Sequence, residues 1–144
     1  MNSHRKPIRL LAGVLSVLAV ASLSQVSQAT GTVSKGDLNG PWMMALSGNT
    51  GCGISALHVT VNLNNGTGSA TIQGNATGCG IATTTSLPFA IETLNANGSG
   101  TANLSCGSGC GWNFQIQVAP DRSTFSLVDV TDSLNTLAGV AIHQ

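Results

Sequence analysis

The 144-residue chain reads as an all-β domain, an eight-stranded antiparallel meander closing into a small up-and-down barrel, and three observations carry that reading. Eight segments alternate apolar and polar side chains with period two, the period of a half-buried strand. The connections between them are short and rich in Gly, Asn, Asp and Ser, which are turn formers. Three Gly-Cys-Gly triplets, centred on Cys52, Cys79 and Cys110, punctuate alternate connections and give the chain the skeleton of a repeat.

The elements follow in order. Arg5, Lys6 and Arg9 precede an apolar stretch from Leu10 to Leu23 and then Ser27-Gln28-Ala29, the layout of a Sec-type signal peptide over residues 1–29. Cleavage is expected after Ala29, with Ala21 as the alternative. The apolar stretch is too short to cross about 30 Å of hydrocarbon as a helix. Residues 30–144 then form one domain, exported to the periplasm or the exterior.

Trp42-Met43-Met44-Ala45-Leu46 begins the first strand, and Leu57, Val59, Val61 and Leu63 mark the second by strict alternation with His58, Thr60 and Asn62. Asn64-Asn65-Gly66 turns the chain into a third strand around Ala70-Thr71-Ile72, since Asn-Gly supplies the positive φ of a tight hairpin. The fourth strand is placed at Leu87–Ile91. A second Asn-Gly loop, Asn95–Gly98, leads to the fifth at Thr101–Leu104. Trp112, Phe114, Ile116 and Val118 alternate along the sixth, Pro120–Ser123 is a turn, Phe125–Leu127 is the seventh strand, Asp132–Asn135 is another turn, and Ala138–Ile142 is the eighth. Short links between sequential strands imply antiparallel neighbours, and closure of so large a twisted sheet removes its edges.

In a meander, successive loops alternate between the two ends of the barrel. The loops holding Cys52, Cys79 and Cys110, with Cys106 at the end of the fifth strand, therefore gather at one rim, and the Asn-Gly loops at the other. Four cysteines allow three pairings; the favoured one joins Cys52 to Cys79 and Cys106 to Cys110 across Gly107-Ser108-Gly109. The spacing lacks the paired C-x2-C knuckles of structural zinc sites, so disulfides are preferred to a metal, and no cofactor is implied. Flanking glycines relieve backbone crowding at the bridged turns.

Charge excludes several function classes. Past residue 29, only Lys35 and Arg122 stand against Glu92 and four aspartates, so the domain is about three units negative and lacks the clustered cations that nucleic acid or anionic lipid requires. Catalysis has little to build on. His58 falls on the polar, outward face of the second strand, His143 sits where a C-terminus frays, and no serine occupies a nucleophile elbow. Glu92 with Asp129, or Asp121 with Asp129 and Asp132, are the carboxylate groupings to test for hydrolysis or cation binding. Neither has the spacing that such chemistry requires. The chain is read as a non-enzyme.

The string Asp37-Leu38-Asn39-Gly40-Pro41-Trp42 puts a Gly-x-Trp at the entry of the first strand, and in this the chain resembles the calycin superfamily, the lipocalins and avidins. The resemblance implies a barrel closed at one end by that tryptophan, with a ligand cavity where side chains leave room. The avidin set of aromatic and hydroxyl residues for biotin is missing, so no binding residues carry over.

Eight strands enclose either a packed interior or room for one small ligand. Trp42, Phe89, Trp112 and Phe114 are the candidate interior contacts of a small apolar ligand, held within the barrel or at its cysteine-free rim. The alternative is a structural or adhesive surface subunit that meets a partner or other copies through Thr, Ser and Asn faces; the sequence does not choose an oligomeric state.

Overall fold

The computed structural model describes residues 31–107 and 110–144, with Gly107 and Cys110 as backbone only. The expected signal peptide and its two cleavage points lie outside the described residues. A one-turn 3-10 helix, η1 (Lys35–Leu38), precedes eight strands: β1 (Gly40–Asn49), β2 (Ile54–Asn64), β3 (Thr67–Ala76), β4 (Gly80–Leu94), β5 (Ser99–Gly107), β6 (Cys110–Val118), β7 (Thr124–Asp129) and β8 (Ala138–His143). Each strand pairs antiparallel with the next, and β8 returns to β1, so the sheet is a closed barrel in sequence order. The expected meander is what forms.

Alternation sets which side chains fill it. Trp42, Met44, Val59, Phe89, Ile91, Leu104, Phe114, Phe125 and Leu127 are at most 1% exposed. Leu57 and Trp112, expected in the same inward set, are only partly buried because they stand near one end. Transfer of side chains this large from water is the main stabilising contribution for a small domain.

The two ends differ. At the Asn-Gly end, Asn65 and Gly66 both take positive φ, and β2 turns directly into β3. The Asn95–Gly98 connection differs from it: it is longer, and the Asn97 carboxamide oxygen accepts from the Ser99 backbone N–H at 3.0 Å. Residues 32–39 lie across this end. The Val33 N–H donates to the Ala96 carbonyl at 3.0 Å, the Lys35 ammonium to the Glu92 carbonyl at 2.8 Å, and the Asn65 N–H to the Asn39 side chain at 2.6 Å. Leu38 is wholly buried, and its carbonyl accepts the Trp42 indole N–H at 2.8 Å. Trp42 packs on Phe125 with ring centroids 4.8 Å apart and stacks on His143 at 4.7 Å. His143 is therefore a seated part of β8, where fraying was expected, because an aromatic face is available beneath it.

At the opposite end are the cysteines. Cys52 and Cys79 form a disulfide that ties the β1–β2 loop to the β3–β4 loop, with Cα atoms 5.6 Å apart. A Cβ on Gly53 would overlap the Thr77 hydroxyl, and one on Gly78 would overlap the Cys52 carbonyl. That close approach requires glycine at 53 and 78, while Gly51 and Gly80, on the other side of each cysteine, take positive φ. One disulfide is thus described where two were expected. Cys106 carries no free thiol, and its expected bridge to Cys110 falls on a side chain outside the described residues.

Candidate functional site

β4 is longer than its apolar run suggests, and its extra length builds the site. From Leu87 to Ile91 the odd-numbered side chains point inward. The register against β3 then slips by one residue between Ala70↔Leu87 and Ile72↔Thr84, with Ser86 in the left-handed region at φ 61. This is a β-bulge, which inserts one residue and flips the alternation beyond it. Above it the inward residues are Thr84, Ala82 and Gly80, opposite Ile72, Gly74 and Ala76 of β3. All three are small. Where a second layer of Leu and Phe would fill the lumen, the chain supplies a threonine, a methyl group and a glycine.

The result is a cavity of about 230 Å³ at the cysteine rim. Its walls include Leu57, Ile72, Leu87 and Trp112, with Cys52, Cys79 and Cys106, and among the described lining residues none carries an ionisable side chain other than bridged cysteine. Ala82 and Thr84 are exposed although they face inward, so the cavity opens to solvent beside β4. At the cysteine-free rim, one of the two locations named from the sequence, η1 and Val33 lie across the barrel end; the small inward residues lie at the cysteine rim.

A hydroxyl pair sits at the edge of the cavity. Ser55, 3% exposed, lies 2.7 Å from the Thr50 hydroxyl and donates to the Gly53 carbonyl at 2.9 Å. With its single proton committed to Gly53, Ser55 accepts from Thr50, and the Thr50 oxygen is left with lone pairs to offer. A ligand group meeting Thr50 is matched best by an N–H or O–H donor.

The four candidate ligand contacts separate by position. Trp112 lines the cavity, whereas Trp42, Phe89 and Phe114 are packed in the core below it. Sequence reasoning missed Thr84, Ala82 and Gly80, because a Thr-rich run carries no apolar alternation; only the surplus length between Cys79 and Leu87 hints at them.

The other groups singled out do not converge. His58 is exposed on the outer wall, in a shallow groove with Ala45, Ala56, Gln73 and Ile81 and without a carboxylate among its described lining residues. Glu92 is exposed on the outer face of β4, whereas Asp129 ends β7 buried on the inner face opposite Phe114, so the two side chains lie on opposite sides of the barrel wall. Asp129 is buried; its Oδ1 accepts from the Thr131 N–H at 2.8 Å and hydroxyl at 2.6 Å, while Oδ2 has no hydrogen-bond partner among the described residues. Hydrogen bonds from the Ser123 backbone hold the Asp121 carboxyl below its ordinary value, and those from the Leu134 and Asn135 backbones do the same for Asp132. These are turn-forming roles. No cluster of three metal-ligating side chains occurs among the described residues.

No protein-family model matches the chain, and no curated protein matches it in sequence.

Proposed function

We propose that this chain is an exported, non-enzymatic binding module that holds a small, neutral, apolar ligand group in the mouth of its barrel at the cysteine rim. The observation that carries the reading is the cavity of about 230 Å³ with largely apolar walls and, among the described residues, no unbridged ionisable lining side chain. Its size falls between the engineered cavity of about 150 Å³ that takes benzene and the pockets of about 300 Å³ or more that take drug-sized ligands. One- or two-ring compounds fit that range, and a single donor group would meet Thr50. Burying a charge there would leave it unpaired, at a large cost.

The Cys52–Cys79 disulfide supports an oxidising compartment, in keeping with a cleaved signal peptide. A second bridge, Cys106 to Cys110, completes this reading. The closed eight-stranded barrel plugged by Trp42 at one end is compatible with a calycin-like ancestry. Titrating 3-methylindole calorimetrically into the oxidised protein tests the reading. Saturable one-to-one binding that Thr84→Phe removes is expected; no heat from it or from a panel of one- and two-ring neutral compounds would contradict the reading.

A second reading, a structural or adhesive surface subunit, draws on the outer wall. Val128, Val140 and Ile142 are each about half exposed on adjoining strands β7 and β8. Size-exclusion chromatography across concentration tests it, with oligomers expected if that face meets other copies.

A further inference from the structure

The barrel is closed around its waist but split at the cysteine rim. The β4–β5 ladder begins at Phe89↔Leu104 and runs only toward the Asn-Gly end. Above it, Ile81–Thr84 pairs with β3 on one side, Thr85 and Ser86 form the bulge, and among the described residues no strand pairs with Ile81–Ser86 on the other side. Such an edge presents unpaired backbone N–H and C=O groups. Of the usual protections these six residues carry only the β-bulge at Ser86: no lysine, no proline and no inward charge occurs in Ile81-Ala82-Thr83-Thr84-Thr85-Ser86, and all of them are exposed. Pro88 marks where that freedom ends.

The cavity opens beside this edge, and the same strand lines it through Ala82 and Thr84. Two observations thus coincide: backbone groups that can pair with a strand, and next to them an apolar hole with nothing on β4 large enough to fill it. Strand addition works through this combination, with main-chain hydrogen bonds giving affinity and a pocket for an alternate side chain giving specificity.

We infer that the occupant of the cavity is a side chain on an extended segment of another polypeptide, which adds as a strand along Ile81–Ser86 and inserts one large apolar residue between Ala82, Thr84 and Trp112. The inference rests on the proposed reading of the cavity as a binding site. Charge complementarity sets the chemistry of the segment: edge and cavity are both neutral, so the residues that pair and the one that inserts are uncharged. A second copy of this chain supplies the occupant less well. Its own unpaired edge offers only small residues on the inner face.

The test uses the oxidised protein and three probes. The first is an acetylated, amidated pentapeptide with tryptophan at its centre and valine and threonine around it; the second is the same peptide methylated on alternate backbone nitrogens, in both phases; the third is 3-methylindole. The expected result is that the peptide binds about tenfold or more tightly than 3-methylindole, that one methylation phase abolishes the gain and the other does not, and that amide exchange slows at Ile81–Ser86. Equal binding of peptide and 3-methylindole, indifferent to methylation, would overturn strand addition and leave the cavity reading standing. If neither binds, both fall. Protection of Ile81–Ser86 by self-association without peptide would overturn the inference in favour of a second copy.

Discussion

Trp42 and Trp112 are the chain's two tryptophans, and three residues of context send them to opposite ends with opposite tasks. Trp42 follows a Gly-Pro entry, loses all but 1% of its exposure and spends its N–H on the Leu38 carbonyl. Trp112 sits at the opposite rim and shows part of its ring to the cavity. Replacing Trp42 by alanine is expected to cost about 3–5 kcal/mol in denaturant melts, while Trp112→Ala costs less and loses 3-methylindole binding instead. Equal stability losses would contradict the division. Asp37 carries the pH dependence of the capped end. Its carboxylate accepts the Ser34 N–H at 2.8 Å and the Ser34 hydroxyl at 2.9 Å, and the Arg122 guanidinium lies 3.5 Å away. The backbone bond, first among these, holds its pKa below the ordinary 3.8. A depressed native pKa contributes stability that is present above the unfolded value and lost as pH falls through the native one. Thermal melts below about pH 4 should therefore lose less Tm in Asp37→Asn than in the parent. Asp121 and Asp132 retain their own share of the acid sensitivity.

At the level of elements, alternation made most of the barrel readable before any coordinates. The run from Leu57 to Leu63 and that from Trp112 to Val118 declare their inner face because each buries one side against a common core. The Gly-Cys-Gly loops declared their shared end through parity alone. What could not be read is the upper half of β4, where the physical signal disappears: Thr, Ala and Gly on a solvent-open wall need no apolar period, and the bulge reverses which positions face in. η1 was likewise invisible, since one turn of helix has no stripe to show. Ser86 is the hinge of that reversal. A β-branched residue at positive φ is strained, so Ser86→Val is expected to destabilise by about 1–2 kcal/mol, whereas Ser86→Gly costs little; equal effects in chemical denaturation would argue against the bulge. The paired substitution Cys52→Ser with Cys79→Ser removes a bridge closing a ring whose ends are 27 residues apart. The chain-entropy relation gives a loss of about 3.5 kcal/mol, readable as a lower denaturation midpoint with an altered slope.

The whole molecule is asymmetric along its axis. One end is stoppered by η1, Val33 and Trp42, and hydrogen bonds tie the N-terminal segment to three separate loops through Ala96, Asn65 and Arg122. The other end is held by sulfur, with one strand standing partly alone beside an unfilled lumen. Packing and openness are thereby separated in space: the core supplies stability at the waist and the stopper, so the rim can leave a cavity and a backbone edge free. The candidate ligand contacts followed from this only in part, because aromatic residues mark the core and small residues mark the site. Residue-resolved amide hydrogen exchange tests the central claim of a closed barrel split at one place. A barrel so closed and so split shows strong protection along the β1–β8 seam from Met43 to Ser47 and rapid exchange, in the unliganded protein, for those Ile81–Ser86 amides that point away from β3. Rapid exchange along the β1–β8 seam, or uniform protection through β4, would contradict it.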